Sequence, residues 1–337
     1  MLIQNFYIGL AIIYIIVIVV SVPGNILILA SVISDKRLRT PTNALVCNLS
    51  IAGLIIAILR LPIKIYELFH PFDGFPFPNS VDMCRFQQIL PTACVLCISI
   101  TLTTICIDRY VAIVHPMQRQ LKMTRKKVFI FIPTSWIVSF CCFIVYASYM
   151  VLYDFGGKKY CIPYYPEHNG SDIILTNASG YPIGVLEATR ISLWATFIPA
   201  VFLIPSIIMI TFYSITARNL WSEHGPSDSV KTITLKHHDR RRDQKKKAIK
   251  ILITCCVVFV ITNFPYYTIF MLLDLQLITL PRRSIITNTL ILINYSAIAY
   301  NPIIYGYFNI GVRSRARKVL RYMSYAPTKW NSSHAYE

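Results

Sequence analysis

The sequence predicts an all-α integral membrane protein, a bundle of seven transmembrane helices with a short amphipathic helix after the seventh span. Three observations predict it: the composition, seven long apolar stretches, and basic residues confined to alternate connections. Of 337 residues, 55% are hydrophobic and only 14% charged, with a mean hydropathy of +0.54. No ordinary water-soluble domain shows that balance. A helix needs about 20 apolar residues to cross a hydrocarbon core roughly 30 Å thick. Stretches at about 6–33, 43–69, 85–112, 128–151, 191–216, 248–273 and 284–307 meet that length. What remains is short loops, an outside loop at 152–189, a basic loop at 217–247 and a tail. Residues 1–337 therefore read as one membrane domain without a soluble module or internal repeat.

The formal net charge of +18 raises nucleic acid as a partner, but its distribution argues against one. Lys36, Arg37 and Arg39 follow the first span, Arg119 to Lys127 the third, Arg218 to Lys250 lead into the sixth, and Arg313 to Lys329 follow the seventh. By the positive-inside rule these are the cytoplasmic connections. The N-terminus is then extracellular and the C-terminus cytoplasmic, in a multi-pass plasma-membrane protein whose first span serves as its own signal anchor. The run Arg240-Arg241-Arg242 and Lys245-Lys246-Lys247 suits contact with anionic membrane lipids and equally a cytoplasmic protein partner.

Eight of the ten cysteines (Cys47, Cys94, Cys97, Cys106, Cys141, Cys142, Cys255 and Cys256) lie within spans, where cysteine acts as a small apolar residue. The other two, Cys84 at the outer end of the third span and Cys161 in the large outside loop, both lie on the oxidising side, and a disulfide between them is the economical reading. The same loop carries the sequons Asn169-Gly170-Ser171 and Asn177-Ala178-Ser179, so Asn169 and Asn177 are candidate glycosylation sites. No histidine, cysteine and carboxylate spacing suggests a metal centre, a cofactor site or a catalytic constellation: His224, His237 and His238 sit in a basic loop, and His115 precedes a proline at a membrane edge.

The third span ends in Ile107-Asp108-Arg109-Tyr110-Val111-Ala112-Ile113-Val114-His115-Pro116, which sets an acid beside a base at the membrane boundary, where charge is costly unless paired or wet. The seventh ends in Asn301-Pro302-Ile303-Ile304-Tyr305; the proline removes a helical hydrogen bond, and polar neighbours can satisfy the freed carbonyl. Together, at the ends of spans three and seven of seven, these motifs resemble the rhodopsin-like family of G-protein-coupled receptors, and peptide receptors within it. Gly24-Asn25, Asn48-Leu49-Ser50, Trp136, Pro205, Tyr213, Phe259 and Pro265 extend the resemblance over nearly the whole chain. It implies a receptor for an extracellular ligand that activates a heterotrimeric G protein. Its switch comprises Asp108, Arg109, Tyr110, Tyr213, Pro265, Asn301, Pro302 and Tyr305: the arginine is released on activation, span six swings outward, and the two inner tyrosines hold the opened cavity.

Three changes depart from the family pattern. Gly53 stands where members usually carry a sodium-binding aspartate, Asn263 replaces the usual tryptophan two before Pro265, and Ala297 and Ile298 replace a polar pair before Asn301. They fit a rewired activation relay, or a receptor biased toward activity, or a decoy that binds without signalling. Lys245 stands where an acid of span six often pairs with the third-span arginine.

Family pockets open outward between spans two, three, five, six and seven. Pro91 occupies the place of the ammonium-binding aspartate of amine receptors, and Tyr295 that of the retinal-linked lysine of opsins, so neither ligand class is expected. Arg60, Lys64 and Glu67 recur at i, i+4 and i+7 on one helix face of span two. Ionisable groups inside a span are functional candidates, although Lys64 and Glu67 at the interface can also snorkel and pair with each other. With Gln88, Pro91, Thr92, Trp194, Tyr266, Tyr267, Asn294 and Tyr295, Arg60 and Lys64 form the candidate ligand site; Arg85, Gln87, Asp274, Arg282 and Arg283 lie nearby. Mixed charge, aromatic walls and a disulfide-tethered loop suit a short peptide. A small acidic or lipid-like molecule remains open, as does a neutral indole-like one, because Leu152-Tyr153-Asp154 and Ile303-Ile304-Tyr305-Gly306 resemble stretches of melatonin receptors.

Residues 309–322 set Arg313, Arg315, Arg317, Lys318 and Arg321 among Ile310, Val312, Val319 and Leu320, the pattern of a helix lying on the inner leaflet. Ser324, Thr328, Ser332 and Ser333 beyond it are candidate phosphorylation sites through which arrestin is recruited.

Overall fold

The computed structural model describes residues 2–70, 73–164, 173–176, 182–186, 188–222, 232–280, 283–308 and 311–321. Seven helical spans cross the bundle. The first is α1 (Leu2–Ser34). The second is α2 (Pro41–Ile55), which continues through a π turn at Ile56–Arg60 into α3 (Leu61–Phe69). The third and fourth are α4 (Val81–Val114) and α5 (Arg125–Ser148). The fifth is α6 (Ala188–Ile198), joined by a π turn at Pro199–Leu203 to α7 (Ile204–Ser222). The sixth and seventh are α8 (Thr232–Asp274) and α9 (Arg283–Phe308). A last helix, α10, covers residues 311–321.

Six of the spans are long and apolar enough to cross a membrane by length and composition alone. The 26-residue α9 is not among them; Thr287, Asn288, Thr289, Asn294 and Asn301 dilute its apolar character. The helix starts follow local chemistry. The hydroxyls of Thr40, Ser80 and Thr124 accept from the backbone N–H groups of Asn43, Met83 and Lys127, capping α2, α4 and α5. Pro41 occupies the first turn of α2, where its missing N–H costs nothing. Prolines 23, 91, 133, 265 and 302 sit inside helices, which a bilayer span tolerates where neighbours re-satisfy the freed carbonyl.

The helix α4 is central, packed against α2, α5 and α7, while α9 closes the bundle between α1 and α8. One continuous apolar core runs through these contacts, with Tyr14, Leu45, Leu49, Ile56, Ile105 and Phe143 fully enclosed. The outward faces are also apolar, as with Ile16, Val19, Phe129, Ile130, Ile144, Ile207 and Ile261. Such a belt would aggregate in water and is at home against lipid.

The element bounds differ from the sequence expectation mainly in the sixth span. There α8 begins at Thr232, well before the expected 248, so part of the basic connection is helical. Its Lys and Arg residues are good helix formers and extend the span beyond its apolar part. The large outside loop holds two antiparallel hairpins, β1 (Met150–Phe155) with β2 (Lys158–Pro163), and β3 (Ile173–Thr176) with β4 (Pro182–Leu186). Gly156 and Gly157 both adopt positive φ in the first hairpin turn, the conformation a two-residue hairpin loop requires and glycine supplies without strain. The sequon residues Asn169 and Asn177 lie outside the described residues, as do Arg282 and the serines and threonines beyond 321, and the side chains of Lys245, Arg283 and Tyr305 are not described.

Candidate functional site

A cavity of about 320 Å³ lies between the spans at the end that carries the first hairpin. The hairpin is fixed over it by the disulfide between Cys84, in the first turn of α4, and Cys161, in β2, whose Cα atoms are 5.6 Å apart. Cys84 is fully buried with Phe75 and Met150 around it, and Pro163 at the end of β2 reaches the cavity wall. Nine of the ten residues expected to bind ligand line this one space: Arg60, Lys64, Gln88, Pro91, Thr92, Trp194, Tyr266, Tyr267 and Tyr295.

Local backbone geometry puts the charged residues there. The π turn at Ile56–Arg60 ends on Arg60, and one extra residue in a turn rotates everything beyond it by about 100°. Pro62 follows, and its missing N–H removes the bond to the carbonyl of Ile58. Arg60 and Lys64 are consequently buried, at 7% and 9% exposure. Lys64 Nζ lies 2.5 Å from Glu67 Oε2 and Arg60 Nη1 lies 3.6 Å from Glu67 Oε1. Lys64 and Glu67 therefore do pair with each other, but inside the bundle rather than by snorkelling to the interface. At the end of α8 Asp274 Oδ2 accepts from Trp194 Nε1 at 2.7 Å and lies 3.9 Å from Arg190 Nε. A further Arg190 nitrogen donates to the Asp274 carbonyl at 3.0 Å.

Asn294 is the tenth residue, and it sits one layer deeper. Its Nδ2 donates to Asn263 Oδ1 at 3.0 Å, and Asn263 Nδ2 donates in turn to the Phe259 carbonyl at 2.7 Å. Both asparagines border a separate void of about 30 Å³ together with Phe259, Ala297, Ile298 and Asn301. Phe143, Tyr146, Phe197 and Phe270 line the upper cavity without having been singled out from the sequence. Phe143 and Phe197 stack at 4.5 Å and Tyr146 meets Phe197 edge-on at 5.6 Å. Arg85 pairs instead with exposed Asp82 at 4.0 Å.

At the other end of the bundle, Asp108 Oδ2 accepts from Arg109 Nη2 at 2.9 Å and from the Thr42 hydroxyl at 3.0 Å, and its Oδ1 accepts from the Met123 N–H at 3.1 Å. Arg109 also donates to Thr42. The carboxylate is thus shared among α2, α4 and the connection to α5. Tyr110 places its hydroxyl 3.1 Å from His115 Nε2 and its ring 4.6 Å from that of Phe212 on α7. Tyr213 is buried beside Cys106.

Between the two ends, Pro302 leaves the Ile298 carbonyl without its helical donor. Asn25 Nδ2 and the Ser21 hydroxyl supply donors from α1, at 3.3 and 3.4 Å. Gly53 faces Asn25, whose Nδ2 lies 3.3 Å from where a Cβ would stand. Asn48 Oδ1 accepts from Trp136 Nε1 at 2.8 Å while its Nδ2 donates to Thr101 Oγ1 at 3.0 Å.

Residues 24–305 match the family model of the 7 transmembrane receptor (rhodopsin family). The chain belongs to this family of receptors. The receptor is 27% identical over 310 residues to the substance-K receptor of Canis lupus familiaris, which covers 91% of this chain and 74% of that one. It is 26% identical over 312 residues to the substance-P receptor of Aquarana catesbeiana, covering 92% and 69%. It is 27% identical over 309 residues to the neuromedin-K receptor of Cavia porcellus, covering 91% and 63%. The matched segment of the receptor runs from Gly24, which packs on Pro302, to Tyr305 at the end of the seventh-span motif.

Proposed function

We propose that this receptor is switched by a short extracellular peptide and passes the signal to a heterotrimeric G protein at its cytoplasmic end, with the N-terminus outside and the C-terminus inside the plasma membrane. The carrying observation is the cavity under the disulfide-held hairpin, whose lining combines Arg60 and Lys64 from the second span, Asp274 from the sixth and several aromatic rings. Its size is near the lower end of the roughly 300–1,000 Å³ usual for ligand sites, room for the tip of a peptide whose remainder lies along the hairpin. The relatives support the same reading, since substance K, substance P and neuromedin K are peptides. The basic connections support the orientation, and the amphipathic α10, which buries Val312 and Ala316 and bonds Arg315 to Ser34 at 3.0 Å, suits the inner leaflet.

Ligand enters this scheme only by binding one state of the bundle better than the other. Asp108 holds Arg109 in the state seen here; release of that arginine opens the cytoplasmic end. Expression with a panel of G-protein sensors, challenged with peptide and acidic-metabolite libraries, tests the proposal. A peptide response that disappears in Arg109→Ala is expected. A surface-expressed chain giving no Arg109-dependent output, with ligand or at raised expression, overturns it.

A further inference from the structure

The charges of the cavity do not balance, and the imbalance has an address. Besides its rings and apolar side chains the lining carries two cations, Arg60 and Lys64, and one carboxylate, Asp274. Asp274 is already engaged by Arg190 and Trp194. On the second span a single acid, Glu67, serves both cations, and it serves them unequally: 2.5 Å from Lys64 but 3.6 Å from Arg60. Arg60 Nε is buried with no acceptor among the described residues. The Tyr295 phenol interacts with the same guanidinium but brings a dipole, not a charge.

A buried cation without a matching anion is costly, and a fold keeps one where something else supplies the anion. A guanidinium presents paired N–H donors that match the two oxygens of a carboxylate. The adjacent ammonium adds a second positive charge on the same helix face, while Gln88 and Thr92 on α4 border the same space. We infer that the Arg60–Lys64 wall is a carboxylate subsite, filled by an acidic group of the ligand, either the free C-terminus of a peptide or an Asp or Glu side chain. This rests on the reading of the cavity as the ligand site. The same charge count disfavours a ligand that offers only a cation to this wall.

The potential can be measured without knowing the ligand. In purified full-length receptor carrying Thr92→Cys, the engineered thiol reports the field beside the wall. It is reacted with negatively charged 2-sulfonatoethyl methanethiosulfonate and, separately, with the positively charged 2-(trimethylammonium)ethyl reagent, and modification of residue 92 is followed by mass spectrometry. After normalisation to a free thiol, the anionic reagent is expected to react faster by on the order of tenfold, as one unneutralised charge at close range in a medium of intermediate dielectric requires. Arg60→Gln should abolish the preference, Lys64→Gln should reduce it, and Glu67→Gln should enlarge it. Equal rates, or a faster cationic reagent, overturn the subsite, whatever the receptor signals to.

Protection of the same thiol by hexapeptide pools identifies the source of the anion. Pools with a free C-terminus and no Asp or Glu are compared with amidated pools that contain them and amidated pools that lack them. Protection by the first supports the terminal carboxylate, and protection by the second the acidic side chain. Equal protection by the third overturns the subsite. No protection by any pool, with the anionic preference intact, supports the subsite and counts against a peptide ligand.

Discussion

Asn294 donates a 3.0 Å hydrogen bond to Asn263, and the bond crosses from α9 to α8 two residues before the proline that interrupts α8. Both side chains are buried, at 6% and 3% exposure, and Asn263 passes the link to the Phe259 carbonyl. The position where the family usually carries a tryptophan therefore holds a polar tie between spans six and seven. Asn294→Ala leaves the Asn263 oxygen buried without its donor, at a cost of about 1–3 kcal/mol. Thermal unfolding of Asn263→Ala, Asn294→Ala and the double variant should be non-additive by about 1 kcal/mol, with raised ligand-independent signalling in each. Additive losses would show that the two residues act separately.

Gly53 brings no carboxylate to the place where family members bind sodium, and Asn25 occupies the adjoining space with its amide committed to Ser21 and Ile298. Agonist affinity in membranes should then be the same in sodium chloride and in N-methyl-D-glucamine chloride of equal ionic strength. A shift as large as the roughly fivefold of a typical coupled site would show that sodium is held by other groups. Gly53→Asp sets an acid beside Asn25 and should introduce the sodium dependence that the natural chain lacks.

The family and the membrane segments that frame the candidate cavity were legible in the sequence because they rest on length, charge bias and short motifs, which do not depend on how each helix is rotated. The pairing of Cys84 with Cys161 followed from topology in the same way. Rotation is what the sequence hides. Whether Lys64 snorkels or points inward depends on the π turn at Ile56–Arg60, a one-residue change of phase. Phe143, Tyr146 and Phe197 look like any lipid-facing ring, because a span apolar on all sides gives no periodic signal of which face is the inner one. Asn294 belongs to the layer below the cavity for a related reason: adjacent Asn294 and Tyr295 point about 100° apart, so only one of them reaches the cavity.

Thr42 joins the two members of the charged pair at the basic end, donating to Asp108 and accepting from Arg109. Thr42→Val keeps the shape and removes the hydroxyl, a loss of about 1 kcal/mol in the state that holds Arg109. Ligand-independent G-protein signalling at matched surface expression should rise by roughly fivefold, the factor such an energy implies. Asp108→Asn should raise it further, since it removes the charge of the partner itself. Unchanged signalling in both would mean that this cluster stabilises the two states equally.

Gly24 on α1 packs directly against the seventh-span proline, Pro302 on α9. A Cβ at residue 24 would stand 2.9 Å from Pro302 Cβ and 3.0 Å from Pro302 Cγ, and a proline ring within a helix has no rotamer by which to yield. Gly24→Ala must therefore push α1 outward, which lengthens the bonds from Asn25 and Ser21 to the Ile298 carbonyl that Pro302 exposes. The expected cost is about 1–3 kcal/mol, as for other overpacked interiors. Gly53→Ala is the control, because its methyl group meets first the flexible amide of Asn25 at 3.3 Å. In detergent-purified receptor, thermal unfolding of Gly24→Ala should fall clearly below that of Gly53→Ala; equal midpoints would show that α1 is free to shift and that the contact with Pro302 does not hold it.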